Sequence, residues 1–329
     1  MTAPAFGFAA LHGGDSRVTL VPALGGKLSE IQLAGRQWLW HNPQMPFALP
    51  VEGASYVRTA DSGGFDECFP TVAECRLPTW VKGAGDAALP DHGELWSQAP
   101  AVSIETTGTG HRASCTWHGV RLPYRFTRTV TVRPDGSIDF AYAAENTGPH
   151  RLPFVWSSHP LFPLTAQTRI ELPDGARTRV WSQHGADFGG PLAEQRWPRL
   201  RAARSMADLS WPGRALSQPF ACKLFVELPP RRTVLAIEEG ATRLEMILDG
   251  ATVPQVGVWI NRGGWSPFAA GRPFLPWRRR KPYFNLAIEP CIGAPDSLTE
   301  ALGAWASAHW IEPRSTSQWS MAWRGAVAP

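Results

Sequence analysis

The chain has 329 residues, of which 43% are apolar and 18% charged, and its net charge is +4. This apolar content excludes a disordered chain, and the length suffices for a sizeable core. A charge this small and this dispersed argues against a nucleic-acid partner.

Alternation of apolar and polar residues predicts a series of β-strands along the chain. The clearest case is a hairpin, in which residues 124–132 and 138–142 alternate on either side of the turn Arg133-Pro-Asp-Gly136. In chain order, the other predicted strands are 17–22, 27–33, 223–228, 233–238, 242–248, 256–261 and 284–289. The last two are more continuously apolar, which is typical of strands covered on both faces.

Helix signals are sparse, because 31 glycines and 31 prolines divide the chain into short elements. One helix is predicted at 297–305, where Ser297 and Glu300 have capping-box spacing. This pattern favours an all-β, sandwich-like fold with few short helices. Since no linker or internal repeat is visible, we expect a single domain over 1–329.

The cysteines and the termini bear on the compartment. The five cysteines, Cys68, Cys75, Cys115, Cys222 and Cys291, are odd in number and lack C-x-x-C spacing, which favours reduced thiols. The first residues do not resemble a signal peptide, and no apolar run approaches the roughly 20 residues that span a bilayer. We therefore expect a cytoplasmic protein without a membrane partner, either a monomer or a homodimer.

Glu289, His159 and His92 are the candidate catalytic residues. Glu289 ends an apolar run just before Pro290, and a carboxylate at the exit of a buried strand is costly to desolvate. His159 and His92 each lie in a short motif bounded by proline or glycine. Each also has an ordinary interpretation: an arginine-paired carboxylate, a core histidine and a surface histidine, respectively.

Three chemistries could use one carboxylate and two histidines. A two-His, one-Glu zinc site is disfavoured because the residues are far apart in sequence, whereas such ligands usually include a close pair. A zinc deaminase signature fails, since its second cysteine would fall at position 294, which is alanine. Metal-free general acid–base catalysis fits best, because both group types titrate close enough to neutrality.

Aromatic residues suggest sugar recognition. The chain has 16 tryptophans, whose flat rings can stack on the apolar faces of sugars. Most of them are expected to fill the core, but Trp156 and Trp259 lie near His159 and near Asn261-Arg262. The acidic loop that contains Asp66 and Glu67 could bind hydroxyls or a cation, or form a tight turn. The basic cluster 278–281 is expected to be a solvated loop, with an anionic ligand or partner as the alternative.

Four motifs in order resemble the galactose mutarotase (aldose 1-epimerase) family. They are Gly64-Phe-Asp-Glu-Cys-Phe-Pro70, Asp91-His-Gly-Glu94, Ser158-His-Pro160 and Glu289-Pro-Cys-Ile-Gly-Ala-Pro-Asp-Ser297. The resemblance implies a β-supersandwich fold and no metal or other cofactor. It also implies that Glu289 removes the proton of the anomeric hydroxyl, that His159 protonates the ring oxygen, and that His92 holds the sugar.

The resemblance leaves the substrate open. Galactose mutarotases carry a substrate-binding arginine in an early Asn-Arg segment, and here Asp66, Glu67 and Arg76 occupy that region instead. The expected substrate contacts are Asp66, Glu67, Arg76, Trp156, Trp259, Asn261 and Arg262. The alternatives to a free aldose are a phosphorylated or other anionic hexose, a non-catalytic carbohydrate-binding role, and a metal-dependent sugar hydrolase or lyase.

Overall fold

The computed structural model describes residues 6–203, 205–267 and 283–328, which form β-strands with few helices. The strands are β1 (Ala9–Gly13), β2 (Ser16–Val21), β3 (Lys27–Leu33), β4 (Arg36–Gln37), β5 (Phe65–Cys68), β6 (Cys75–Arg76), β7 (Ala88–Leu89), β8 (Ala101–Thr107), β9 (Gly110–His118), β10 (Tyr124–Val132), β11 (Ile138–Asn146), β12 (Leu152–Phe154), β13 (Trp156–Pro163), β14 (Thr168–Glu171), β15 (Arg177–His184), β16 (Glu194–Arg196), β17 (Arg199–Ala202), β18 (Ser205–Asp208), β19 (Phe220–Glu227), β20 (Arg232–Glu239), β21 (Thr242–Asp249), β22 (Gln255–Arg262), β23 (Phe284–Ile292), β24 (His309–Ile311) and β25 (Thr316–Val327). The helices of the described residues are α1 (Tyr56–Thr59), α2 (Leu298–Leu302) and three short 3₁₀ turns at Pro22–Leu24, Leu95–Ser97 and Pro212–Arg214. The basic cluster 278–281 lies outside the described residues.

Two antiparallel sheets form the body of the protein. The large sheet has eleven strands in the order β1-β2-β3-β5-β13-β23-β22-β19-β15-β16, with β4 paired to β3. The small sheet has eight strands in the order β14-β20-β21-β25-β11-β10-β9-β8. Three two-stranded ribbons complete the described topology. The all-β prediction is therefore confirmed.

The core lies between the inner faces of the two sheets. Phe65 of β5 stacks on Trp323 of β25 with ring centroids 5.5 Å apart, and Phe140 of β11 lies 5.3 Å from the same tryptophan. All three side chains are fully buried. Burial of each such side chain stabilises the fold by roughly 1.5–3 kcal/mol, so this aromatic contact joins the two sheets strongly.

The strands predicted from alternation are present, with small differences at their ends. The hairpin forms as expected, and its turn is closed by a 2.8 Å hydrogen bond from the Arg133 amide to the Ser137 carbonyl. β23 continues three residues beyond the predicted end, through Pro290 to Ile292. It can do so because Pro290 still pairs in register with Val256 on β22, although it contributes no N–H donor.

The predicted helix exists but is shorter than expected. It spans Leu298–Leu302 rather than 297–305, and the Ser297 hydroxyl accepts a 3.4 Å hydrogen bond from the Glu300 amide. Gly303 ends it by donating its amide to the Thr299 and Glu300 carbonyls. Trp305 then packs edge-on against Phe225 of β19, with centroids 5.7 Å apart. The segment after β23 therefore covers part of the large sheet close to Glu289.

A buried ion pair bridges the two sheets. Glu67 of β5 accepts hydrogen bonds from Arg128 of β10 at 3.4 Å, from Tyr142 at 3.1 Å and from the Trp156 indole at 2.9 Å. The Arg128 guanidinium also donates to the Gly26 carbonyl. Burial raises the pKa of Glu67 to about 7, against the opposing effects of Arg128 and the indole. The pair is thus a costly polar element whose partners depend on each other.

We expect Arg128→Met to lower the free energy of unfolding by about 3–5 kcal/mol, because it leaves a buried carboxylate without its cation. The matched control is Arg125→Met on the same strand, since the Arg125 side chain is 54% exposed in its pair with Glu145. That change should cost at most about 1 kcal/mol. Equal losses in urea unfolding of the two variants would contradict this account.

Candidate functional site

A row of ionisable side chains crosses the large sheet on the face opposite the core. Asp66 on β5 pairs in register with His159 on β13, and the β13–β23 register places His159 opposite Glu289. Lys27 on β3 extends the row at the Asp66 end, and Lys223 on β19 extends it beyond Glu289. Because side chains alternate between the faces of a strand, these residues share one face while their sequence neighbours enter the core.

A cavity of about 240 Å³ lies over this row. Its lining includes the carboxylates Asp61, Asp91, Glu289 and Asp296, the imidazoles His92, His159 and His184, the amine of Lys223, the amide of Asn285, and the aromatic rings of Tyr56, Trp259, Trp265 and Tyr283. The volume is slightly below the roughly 300–1,000 Å³ of sites for drug-sized ligands, so it suits a small ligand. Aromatic walls with convergent polar groups are typical of a binding site.

Glu289 is held by one of its two carboxylate oxygens. Its Oε2 lies 2.5 Å from the Lys223 ammonium and accepts a 3.1 Å hydrogen bond from the Ser157 hydroxyl. Its Oε1 is buried without a hydrogen-bond partner. Burial raises the pKa of Glu289, Lys223 opposes that effect, and the nearby Asp296 adds to it. The carboxylate therefore has one fixed oxygen and one oxygen free to act on a ligand.

His92 is held between the Asp91 carboxylate and the Tyr56 ring. Its Nδ1 lies 2.7 Å from Asp91 Oδ1, and its ring stacks on Tyr56 with centroids 4.0 Å apart. Burial lowers the pKa of His92, but the carboxylates of Asp91, Asp61 and Asp296 together raise it by more, so the net pKa is raised. The Tyr56 hydroxyl donates in turn to Asp66 at 2.6 Å, which fixes the ring beneath His92.

His159 has the opposite electrostatic character. Its ring stands perpendicular to that of His92, with centroids 4.9 Å apart, and its Nδ1 is buried without a partner. Burial lowers the pKa of His159 well below its usual range, and the nearby charges of His92 and Lys223 lower it further. The surroundings of the two imidazoles therefore shift their pKa values in opposite directions.

Several of the unpartnered atoms in this cavity are hydrogen-bond acceptors. Asp61 Oδ1 and Glu289 Oε1 are both buried and lack a hydrogen-bond partner, and Asp296 Oδ1 has only an ion pair of 3.3 Å with Lys223. Leaving such groups unsatisfied costs free energy, so their convergence on one cavity indicates a ligand that brings donors. Hydroxyl groups meet this requirement.

Five of the residues predicted for the site lie at or directly behind the cavity. Glu289, His159, His92 and Trp259 line it. The Trp259 indole donates to the Asn285 amide oxygen at 3.1 Å, which orients the ring. Asp66 does not line the cavity but holds the hydroxyl of the lining residue Tyr56.

Glu67 and Trp156 point away from the cavity. Glu67 follows Asp66 directly on β5, so strand alternation sends it to the core face, where Trp156 donates to it. Trp156 is three positions from His159 on β13 and therefore also lies on the core face. The structure gives both side chains a place in the buried ion-pair cluster and not in the cavity lining.

Three further predicted contacts lie outside the cavity lining. Arg76 is 62% exposed and bonds to Asp86 at the surface. Asn261 is buried and binds the Trp265 backbone, so it positions a lining residue without lining the cavity itself. Arg262 donates to the carbonyls of the 213–218 segment, beside the end of β22. Proximity in sequence to Trp259 did not place these two side chains in the cavity.

The lining residues that the sequence interpretation missed include the charged side chains of Asp61, Asp91, Lys223 and Asp296. Two of them had a usable signal, since Asp91 precedes His92 and Asp296 follows Glu289 within the quoted motifs. Lys223 begins a predicted strand and would have needed the strand order of the large sheet to connect it with Glu289.

The residues that the structure describes contain neither a metal-ligand cluster nor a membrane-spanning helix. No group of three or more His, Cys, Asp or Glu side chains there is arranged to hold a metal ion. No helix within the same residues has both the length and the apolar content to cross a membrane.

Solved structures with a similar fold support the expected architecture. The Slr1438 protein of Synechocystis sp. PCC 6803 matches with a TM-score of 0.69 at 15% identity, covering 100% of this chain and 98% of that one. A galactose mutarotase related enzyme of Lactobacillus acidophilus matches with a TM-score of 0.61 at 14% identity, covering 97% of each chain. A galactose mutarotase-like protein of Lactobacillus casei ATCC 334 gives 0.63 at 13%, covering 97% of this chain and 100% of that one. No protein-family model and no curated protein matches the sequence. The likeness establishes a galactose mutarotase-like fold, and the predicted β-supersandwich is confirmed.

Asp61 provides a stability test of the cavity. Burial raises its pKa from 3.8 to about 6, although Lys27 and His92 oppose the shift. A carboxyl group whose pKa is raised on folding stabilises the fold below its unfolded pKa, and this contribution is lost as pH rises through the folded pKa. The lost contribution is roughly 3 kcal/mol. Asp61→Asn should therefore become more stable relative to the wild type between pH 4 and pH 8, as measured by urea unfolding. A difference that stays constant with pH would contradict a raised pKa of the buried Asp61 carboxyl.

Proposed function

We propose that the protein is an aldose 1-epimerase that interconverts the α and β anomers of a sugar by metal-free acid–base catalysis. The observation that carries this proposal is the free, buried Oε1 of Glu289 in the same cavity as His92 and His159. Two further observations support the proposal. The fold is similar to that of mutarotase-related proteins. Glu289, His159 and His92, which the sequence motifs single out, all line the cavity. A cytoplasmic location and a monomeric or homodimeric state stay predictions.

The reaction begins when Glu289 Oε1 takes the proton of the anomeric hydroxyl. The electrons of that O–H bond form the aldehyde C=O, the bond between C1 and the ring oxygen breaks, and the ring oxygen takes a proton from an imidazolium. Rotation about C1–C2 then exposes the other face of the aldehyde. Closing reverses both proton transfers, so the enzyme ends with each proton where it began. Base and acid thus need only opposite protonation states at neutral pH.

His92 is the better candidate for the stored proton. Its pKa is raised by Asp91 against the effect of burial, whereas burial lowers the pKa of His159. We therefore assign the proton to His92 and the neutral, ligand-orienting position to His159, which reverses the roles that the family resemblance implies for these two histidines. The perpendicular rings lie close enough for both to face one sugar ring.

The rest of the cavity fits a sugar without an anionic group at this end. Trp259 and Trp265 stand edge to face, with centroids 5.8 Å apart, and offer an aromatic surface for C–H groups. Asp61 and Asp296 offer acceptors to hydroxyls. Lys223 and His92 are already paired with carboxylates, so neither is a vacant anion site. On these described residues, which do not include the basic cluster 278–281, we favour a free aldose over a phosphorylated hexose.

Anomer exchange tests the proposal. With a panel of aldoses and hexose phosphates followed by exchange NMR of the anomeric protons, the protein should accelerate equilibration of at least one free aldose. Glu289→Gln should reduce that rate about 10²–10⁴-fold, because it removes the base. The matched control is Glu227→Gln. Glu227 is the last residue of β19 and pairs with Arg177, so this variant should exchange anomers at the wild-type rate. If no sugar equilibrates faster than in buffer, the protein is not an epimerase, and a binding role is left.

The pH dependence identifies the acid. Asp91→Asn removes the carboxylate that raises the pKa of His92, so the alkaline limb of the pH–rate profile should move to lower pH by about 1–3 units. Asp86→Asn changes an exposed aspartate, 66% accessible beside Arg76, and should leave the limb in place. An alkaline limb that does not respond to Asp91→Asn would return the role of acid to His159.

A further inference from the structure

We propose that Lys223 is a positioning residue for the catalytic base: it ties down one oxygen of Glu289 and keeps the buried carboxylate charged, so that Oε1 alone performs the proton transfer. This inference rests on the proposed function, because it assigns a second residue to the same reaction. Nothing in the sequence motifs points to Lys223, which lies 66 positions before Glu289.

Lys223 is buried and contacts two carboxylates. Its side chain is 5% exposed, and its ammonium lies 2.5 Å from Glu289 Oε2 and 3.3 Å from Asp296 Oδ1. The Ser157 hydroxyl donates to the same Glu289 oxygen from the neighbouring strand. Oε2 therefore has two donors, and Oε1 has none. A proton acceptor with one free oxygen, fixed in orientation by the other, is what directional proton abstraction requires.

Gly257 makes this contact possible. Lys223 is on β19 and Glu289 is on β23, and β22 lies between those strands. Gly257 of β22 pairs directly with Glu289, and a Cβ atom there would lie 3.1 Å from the Lys223 Cε and 3.3 Å from its ammonium nitrogen. The missing side chain leaves a path over the intervening strand, and the lysine fills it.

The charges around Glu289 show why the lysine is needed. The ionisable groups near it are Lys223 from β19, His159 from β13, Cys68 from β5, Cys291 on its own strand, and Asp296 from the segment after β23. Burial and the Asp296 carboxylate both favour the neutral acid, and Lys223 is the cation in direct contact. Without Lys223, burial and Asp296 would both favour the protonated form of Glu289, which cannot accept a second proton.

The behaviour of the lysine is consistent with this role. Although burial lowers the pKa of Lys223, the two carboxylates raise it well above its usual value. The ammonium therefore stays charged throughout the range in which Glu289 titrates, and it does not itself exchange the proton. It acts through Glu289 and is not the catalytic residue.

The experiment compares Lys223→Gln with Lys223→Arg in the chain of 329 residues. Glutamine keeps a hydrogen-bond donor but removes the charge, and arginine keeps the charge. The matched control is Lys27→Gln, which removes the buried lysine at the other end of the row, where it is bonded to Asp66 and not to Glu289. Two measurements are made: the pH–rate profile of anomer exchange, and the titration of the Glu289 carboxyl by ¹³C NMR of glutamate-labelled protein, assigned with Glu289→Gln.

Lys223→Gln should move both the acid limb of kcat and the Glu289 titration to higher pH by about 1–3 units, the range expected when a contacting opposite charge is lost. Lys223→Arg should return both toward the wild-type position, and Lys27→Gln should leave the Glu289 titration in place. A folding defect alone would lower the rate without moving the limb. If Lys223→Gln does not fold, Gly257→Ala provides the test, since its methyl group displaces the ammonium and should shift the titration in the same direction.

A Glu289 titration that does not move in Lys223→Gln, or that moves equally in Lys27→Gln, would overturn the inference. Its failure is distinct from failure of the proposed function. If the wild type accelerates no anomer exchange, the epimerase proposal is lost, but the NMR titration still decides whether Lys223 controls the charge of Glu289. If exchange is fast and the titration is unmoved, the epimerase proposal stands and the role of Lys223 is rejected.

Discussion

The alternation of side chains across the large sheet is the constraint on which the rest of the structure depends. The same strands that send Phe65, Glu67 and Trp156 into the core send Asp66 and His159 to the opposite face. Antiparallel register then lines up ionisable groups from five strands, β3, β5, β13, β23 and β19, in one row. The core supplies the stability that holds this row in place, and residues of α1 and of the loops line the cavity above it.

The row of ionisable side chains destabilises the folded state unless its members are paired. Glu289 and Lys223 are both at least nine-tenths buried, and burying ionised groups costs several kcal/mol each unless they are paired. Ion pairs such as that between Lys223 and Glu289 offset part of this desolvation free energy. The acceptors left without donors, such as Asp61 Oδ1, are not compensated within the described protein. Unfavourable groups concentrated in one cavity are characteristic of a functional site, where a ligand completes the network.

The fold was largely predictable from sequence, because period-two alternation records which residues face the core. The hairpin formed by β10 and β11 and the covered strands β22 and β23 follow from it directly. The pairing order of the strands was not predictable, since β13 lies between β5 and β23 through contacts far apart in the chain. The helix after β23 was placed correctly but ended early at Gly303, whose backbone closes it.

The site was predictable only in part, because the sequence does not reveal how the strands pair. Glu289, His159 and His92 interrupt apolar or glycine-bounded segments, and such interruptions are visible in a sequence. Glu67 and Trp156 looked equally suitable, yet strand alternation places them on the core face, a distinction that needs the strand phase. Lys223 became recognisable only when β22 and Gly257 were seen between it and Glu289. Which side chains become neighbours across strands depends on strand order and register. The alternation pattern within a single strand does not reveal either.

The most direct measurement of the central claim is a crystal structure with a slowly converted aldose or a stable sugar analogue bound at neutral pH. The account predicts that the anomeric oxygen lies about 2.6–3.2 Å from Glu289 Oε1, while Oε2 keeps its contacts with Lys223 and Ser157. The ring oxygen should face the His92 and His159 imidazoles. A sugar bound with its anomeric carbon directed away from Glu289, or bound outside this cavity, would contradict the account.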